Sequence, residues 1–148
     1  MNNETLTDHQ IDILSREIDS RMHYGIKVYC PSLSEEPKTV TGVDYNYGPT
    51  GPSVFLDGGP YYRHVSLVRP YLRPLSDMTD AEWSELDEKI IAAGGIGYIP
   101  QYNETTVIVW LDFMLSHHFD YRGLIDMGLA IKAPNGMYHE ILSDNSKS

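Results

Sequence analysis

Ser116-His117-His118-Phe119-Asp120-Tyr121-Arg122-Gly123-Leu124-Ile125-Asp126-Met127-Gly128-Leu129-Ala130-Ile131-Lys132-Ala133-Pro134 is the densest mixture of ionisable, aromatic and glycine residues in the chain. Asp120 is placed to cap a short helix, because a carboxylate there accepts hydrogen bonds from backbone N–H groups that otherwise lack partners. Tyr121 to Met127 then makes about two turns, with Leu124 and Ile125 as the apolar side and Gly128 as a left-handed stop. Leu129-Ala130-Ile131 resumes as a short extended segment, which Pro134 ends.

His117, His118 and Asp120 invite a metal reading, and their spacing argues against it. Adjacent helical histidines point about 100° apart, and the zinc signature carried by a helix needs histidines four apart with a glutamate between them. The histidines read as structural, with one imidazole bonding a backbone carbonyl at a helix end, where a cation is also favoured. Arg122 reads as a tie that holds this loop through a carboxylate or backbone carbonyls.

Outward from this stretch, Asn103 is a candidate cap for a preceding helix. Thr105 to Val109 is β-branched, yet Val107, Trp110, Leu111, Met114 and Leu115 recur at helical spacing, so the segment to Ser116 is predicted helical. It is apolar over most of its surface, which predicts the most buried helix of the fold.

Upstream, Met78-Thr79-Asp80-Ala81-Glu82-Trp83 carries a capping box, with Thr79 as cap, Glu82 closing it and Met78 with Trp83 as staple. Trp83, Leu86 and Ile90 form the expected buried stripe, and Gly94 and Gly95 the stop. Six carboxylates (Asp77, Asp80, Glu82, Glu85, Asp87, Glu88) lie between Asp77 and Lys89. A solvated face is the ordinary explanation, and a mimic of nucleic-acid phosphate the sharper one.

Val68-Arg69-Pro70-Tyr71-Leu72-Arg73-Pro74-Leu75 is the second distinctive tract. Its prolines forbid a helix interior and a central strand, so it reads as a rigid crossover whose arginines pair with carboxylates, or as part of a binding face.

The N-terminal half begins with another capping box, Thr7 to Gln10, flanked by Leu6 and Ile11. Ile11, Leu14, Ile18 and Met22 give the apolar side of a helix ending near Tyr24 and Gly25. Asp12, Arg16, Glu17 and Asp19 form its solvated face. Ile26, Val28 and Cys30 alternate with Lys27 and Tyr29 as a half-buried strand. Pro31 to Pro37 reads as a loop, Thr39 to Tyr45 as a second strand, Val54 to Leu56 as a third and His64 to Arg69 as a fourth. Asp57-Gly58-Gly59-Pro60 is a tight turn.

The fold class expected is α+β: a small antiparallel sheet or partial barrel of about four strands, flanked by three to four helices. Residues 1–142 read as a single domain, with 143–148 as a disordered tail. Val54 to Leu56 is a candidate edge strand for pairing with a second copy.

Composition narrows function. Of 148 residues, 21 are acidic and 11 are Lys or Arg, a net charge of −10, which argues against direct nucleic-acid binding and against docking on anionic membrane. Eleven tyrosines against three phenylalanines favour half-wet positions and interfaces. A single cysteine, Cys30, leaves no intrachain disulfide and no thiolate zinc site, and reads as a buried thiol. Neither a membrane-span run nor a secretion signal is read, so the compartment expected is the cytoplasm.

Arg69-Pro70-Tyr71-Leu72-Arg73-Pro74-Leu75-Ser76-Asp77-Met78-Thr79, taken with the stretch from His117 to Tyr138, resembles small proteins of Bacteroides-type gut bacteria that are frequent in their phages and prophages. The resemblance covers roughly the second half of the chain. It implies a phage or mobile-element accessory protein and carries no catalytic residues across.

The function expected is therefore a non-enzymatic protein-interaction module with a protein partner, and homo-oligomerisation is left open. Its interaction or anchor surface would comprise Arg69, Tyr71, Arg73, His117, His118, Asp120, Tyr121 and Arg122. No catalytic, cofactor or metal residue is assigned. The alternatives are an acidic inhibitor that mimics nucleic acid, or a small hydrolase or metal enzyme built on His117, His118 and Asp120 with His64 or His139. The first needs the carboxylates of the two capped helices on one face, and the second needs its side chains to converge.

Overall fold

The computed structural model describes residues 5–46, 51–94 and 104–138. The expectations for Asn103, for Gly95, for His139 and for the tail fall outside these residues. The described chain is α+β, with three α-helices and one open six-stranded sheet.

Helix α1 spans Asp8–Arg21 and starts as the capping box dictates: Thr7 Oγ1 accepts from the Gln10 amide at 3.1 Å, and Gln10 Oε1 accepts from the Thr7 amide at 2.9 Å. A 3-10 turn, Met22–Tyr24, tightens its end, and Gly25 stops it at φ 74°, a left-handed value that glycine adopts at no steric cost. Strands β1 (Lys27–Cys30) and β2 (Ser34–Asp44) follow, then β3 (Ser53–Leu56) and β4 (Tyr62–His64).

β2 starts inside the segment read as a loop, and its 11 residues run past two irregularities in pairing, one on each neighbour. At the second, Val40 pairs with Leu56 and Gly42 with Phe55, leaving Thr41 as the extra residue of a bulge. Its hydroxyl is used locally, accepting from the Gly58 amide at 3.1 Å.

The predicted fourth strand over His64 to Arg69 is corrected. β4 ends at His64, Val65–Leu67 is a 3-10 turn, and β5 is Arg69–Leu72. The tract that was to leave the sheet thus lies inside it, in the order β4-β3-β2-β1-β5-β6, with β6 at Ile131–Lys132. β1 lies beside Arg69 and Pro70, whereas β6 joins only from Tyr71, so at Pro70 one flank of β5 carries no strand. A proline's missing N–H is tolerated at such a position. Pairing is antiparallel throughout except for the parallel β5–β6 pair. Val54 to Leu56 is not an edge, since β4 covers it.

Two further helices complete the fold: α2 (Asp80–Ala92), opened by the expected Thr79–Glu82 capping box, and α3 (Glu104–Ser116). The main core sets Leu14 and Ile18 of α1 against sheet residues Val28, Val40, Leu56 and Leu72, and closes with Leu124, Leu129 and Tyr138. A second core joins Leu86 and Ile90 of α2 to Phe113, Met114 and Phe119.

Two helix expectations are corrected. Trp83 is 51% exposed, because the buried side of α2 is reduced to Leu86 and Ile90. α3 is not the most buried helix: it buries Thr106, Phe113 and Met114, against five residues of α1, and Ile108 is 65% exposed. Its apolar residues run around the helix, but only one side faces α2 and Phe119. No helix of the described residues is long and apolar enough to cross a membrane.

Candidate functional site

The two tracts that stood out in the sequence are threaded through one another. Arg73 N–H donates to the His118 carbonyl and Asp120 N–H to the Arg73 carbonyl, both at 2.8 Å, and Ala133 N–H reaches the Leu72 carbonyl at 2.8 Å. The backbone of β5 is therefore clasped by the stretch that follows α3.

The clasp begins with how α3 stops. Phe119 N–H bonds the Met114 carbonyl and His118 N–H the Leu115 carbonyl, the paired bonds of a Schellman motif. His118 occupies its left-handed position at φ 59°, where glycine is usual. What holds a histidine there is its ring. Nε2 lies 2.7 Å from the Tyr24 carbonyl, and the imidazole packs on the Tyr138 ring at 4.1 Å between centroids. A carbonyl only accepts, so Nε2 carries the proton. Nδ1 is left buried and without a hydrogen-bond partner. Burial, with Arg21, His117 and Arg73 nearby, pushes the His118 pKa down to about 3 against the opposing pull of the Tyr24 carbonyl. His118 is a neutral anchor.

His117 lies on the other side of the turn. Its Nδ1 is 3.0 Å from the Phe113 carbonyl, which assigns the proton to Nδ1, and its ring stacks on Phe113 at 4.1 Å. Ser116 Oγ is 3.1 Å from the same nitrogen but donates to the Phe113 carbonyl at 3.2 Å. With its proton on Nδ1, His117 is no base for that hydroxyl. Nε2 faces Glu85 at 3.5 Å beside a groove of about 530 Å³ between α2 and α3.

Asp120 accepts backbone N–H bonds as expected, but from further on than the two or three positions of a helix cap, and no helix follows it. Its carboxylate accepts from the Leu124 and Ile125 amides, four and five residues on, at 2.8 and 3.0 Å. Tyr121 to Met127 is a series of turns rather than a helix, because Gly123 at φ 80° breaks the helical path. Gly128 ends it in a second Schellman motif, with φ 78° and Leu129 N–H on the Leu124 carbonyl.

The arginines divide by partner. Arg73 forks onto both Glu82 oxygens at 2.7 and 2.8 Å and lies over the Phe119 ring at 4.2 Å. Burial works to raise the Glu82 pKa, but the bonds from Arg73 and Thr79 outweigh it and hold it at about 2. Arg122 ties the loop through Glu17 at 2.9 Å, as expected of it. Among the described residues, Arg69 bonds only backbone carbonyls. Tyr71 lies buried in β5, and its carbonyl accepts from the Tyr138 hydroxyl at 2.8 Å.

Glu17 is the correction with the widest reach. Placed by its helical position on the solvated side of α1, it is buried. It pairs with Arg21 at 3.1 Å and accepts from the Tyr121 hydroxyl at 3.1 Å, while Arg21 donates to the Phe119 carbonyl at 2.7 Å. The loop after α3 covers that side of the helix. The i,i+4 pair Glu17–Arg21 was a weak signal for it, because such pairs are ordinary on exposed helices.

The eight candidate residues thus gather around β5 and the end of α3. His64 belongs to β4, at the far edge of the sheet, and does not join them. No three His, Cys, Asp or Glu side chains among the described residues are grouped to hold a metal ion. A hollow of about 280 Å³ opens beside the clasp, lined by Arg73, Asp77, Thr79, Pro134, Asn135 and Tyr138 among others. No family model matches the chain, and no curated protein or solved structure matches it either.

Proposed function

We propose that the chain is a non-enzymatic protein-interaction module of phage or prophage type, acting in the bacterial cytoplasm. The observation that supports this best is how its reactive side chains are spent. His118, Asp120, Arg73 and Arg122 are bonded to the chain's own backbone or carboxylates. Meanwhile Tyr61, Tyr62, Trp83 and Ile108 stand out to solvent. Rigid aromatic side chains at the surface supply contact area at little entropic cost, which suits protein recognition. Glu17 and Glu82 are turned inward, so they are lost to the acidic face that a nucleic-acid mimic would present.

The test is affinity capture from bacterial lysate at low and high salt, with Trp83→Ala and Tyr62→Ala variants alongside. A stoichiometric partner that resists salt and is weakened by either variant is expected. Capture of nothing at either salt would overturn the reading, and a partner released by salt alone would move it to the acidic mimic.

A further inference from the structure

His117 is placed so that neither of its neutral forms fits. Nδ1 lies 3.0 Å from the Phe113 carbonyl, which only accepts. Nε2 lies 3.5 Å from Glu85 Oε2, and an ionised carboxylate also only accepts. With the proton on Nδ1 alone, the Nε2 lone pair faces the carboxylate. With it on Nε2 alone, the Nδ1 lone pair faces the carbonyl. Ser116 does not relieve the second case, since its hydroxyl donates to the same carbonyl at 3.2 Å. The imidazolium, with a donor on each nitrogen, satisfies both contacts.

The surroundings favour that cation. His117 directly follows the last residue of α3, where the helix carbonyls stabilise positive charge. Glu85 and Lys89 line the groove from α2 and Asp112 from α3, with the Tyr24 hydroxyl on Asp112 at 2.6 Å. From β5, Arg73 Nη1 comes within 3.5 Å of the His117 carbonyl, but its charge is met by Glu82. The Phe113 and Phe119 rings stack with the imidazole, at 4.1 and 6.2 Å. His118, next in the chain, is the neutral anchor, and charge on His117 is one of the forces that keep it so. The adjacent histidines thereby divide their roles: one takes the charge and the other is denied it.

We propose that His117 is a proton-operated clip: with a proton on each ring nitrogen it ties α2 to the end of α3 through Glu85, and as pH rises through neutrality it gives up the Nε2 proton and lets go of α2. The clip belongs to the chain itself and needs no partner. Leu86 and Ile90 still hold α2 on Phe113 and Met114 when it opens, so what changes is the ease with which the α2 side of the groove moves. Glu85 gives the folded chain a firmer grip on the proton than the unfolded chain has. The stability supplied by the clip is therefore complete below the ordinary histidine value of about 6.5 and is lost as pH rises above it. This is the opposite sign to His118.

The test compares the unaltered chain with Glu85→Gln, a change at a half-exposed side chain, by NMR between pH 5.5 and 8.5. Imidazole nitrogen shifts should show both His117 nitrogens protonated at pH 6, and the ring should lose its charge about half a pH unit lower in the variant, the size expected of a part-exposed ion pair. Amide exchange at Leu86 and Ile90 reads the clip on α2. Their protection in the unaltered chain, divided by that in Glu85→Gln, should be about threefold greater at pH 6 than at pH 8. The ratio cancels the contribution of His118, which both proteins share. A ring transition at the same pH in the two proteins would overturn the proposal, as would a protection ratio indifferent to pH or a neutral His117 ring at pH 6.

Discussion

His118 Nε2 donates to the Tyr24 carbonyl across 2.7 Å, joining the stop of α3 to the stop of α1. It does so from a left-handed backbone, φ 59°, that a side chain adopts at a cost of about 1–2 kcal/mol. Ring and backbone therefore pull in opposite directions. His118→Ala loses the ring, orphans a buried carbonyl and keeps the strained φ, and should cost about 3 kcal/mol. His118→Gly relieves the strain and should cost about 1 kcal/mol less than the alanine variant. Urea unfolding of both, beside His117→Ala, decides the matter. An alanine variant at 118 no less stable than the one at 117 would remove the anchor role.

The same histidine makes the fold sensitive to acid. Its folded pKa, about 3, lies below the ordinary value of 6.5, so protons bind the unfolded chain more readily. The stability it contributes is complete above pH 6.5 and is lost as pH falls towards 3, at about 1.4 kcal/mol per pH unit. Glu82, held at about 2 against an ordinary 4.5, has the same sign and enters only below pH 4.5. Between pH 6.5 and 5 the loss from His118 should be about 2 kcal/mol. His118→Gln, which cannot titrate, should flatten that part of the profile. A profile equally steep in the variant would assign the effect to other groups.

Elements with a local cause were legible in the sequence. Both capping boxes, the stop at Gly25 and the burial alternation of β1 depend on residues within a few positions of one another. What failed depends on what a distant segment covers. Pro70 reads as incompatible with a central strand until β6 is seen to join one residue later. Glu17 reads as solvated until the loop at Tyr121 and Arg122 closes over it. Trp83 reads as core because tryptophan is apolar, yet α2 turns only Leu86 and Ile90 inward. The candidate residues were legible as a group because the tracts that carry them clasp one another. Which of them would be neutralised was not, since Arg21 and Glu17 lie 98 and 104 positions from the partners they meet at Phe119 and Tyr121.

Two carboxylates of α1 provide an internal comparison. Asp12 bonds Arg16 in the open, whereas Glu17 is enclosed with Arg21 and meets Tyr121 and Arg122. An exposed pair contributes little, so Asp12→Ala should change stability by less than about 0.5 kcal/mol. Glu17→Ala strands a buried arginine and should cost about 3–5 kcal/mol. Thermal unfolding of the two variants at matched pH reads the difference directly. Equal effects would mean that Glu17 is hydrated in solution.

Arg73 combines a fork on Glu82 with a face-on contact to Phe119, and only a planar guanidinium serves both. Arg73→Lys keeps the charge but not the fork, and should lose about 2 kcal/mol. Removing one partner leaves the other charge buried, so Arg73→Met and Glu82→Gln should each cost more than their shared loss accounts for. A double-mutant cycle on the two should therefore give a coupling of about 2 kcal/mol, with the double variant more stable than the sum of the singles predicts. Chemical denaturation of the four proteins at pH 7 supplies every term. A coupling within about 0.5 kcal/mol of zero would mean that the pair is screened by water, and that Phe119 and the capping box hold α2 against the clasp without it.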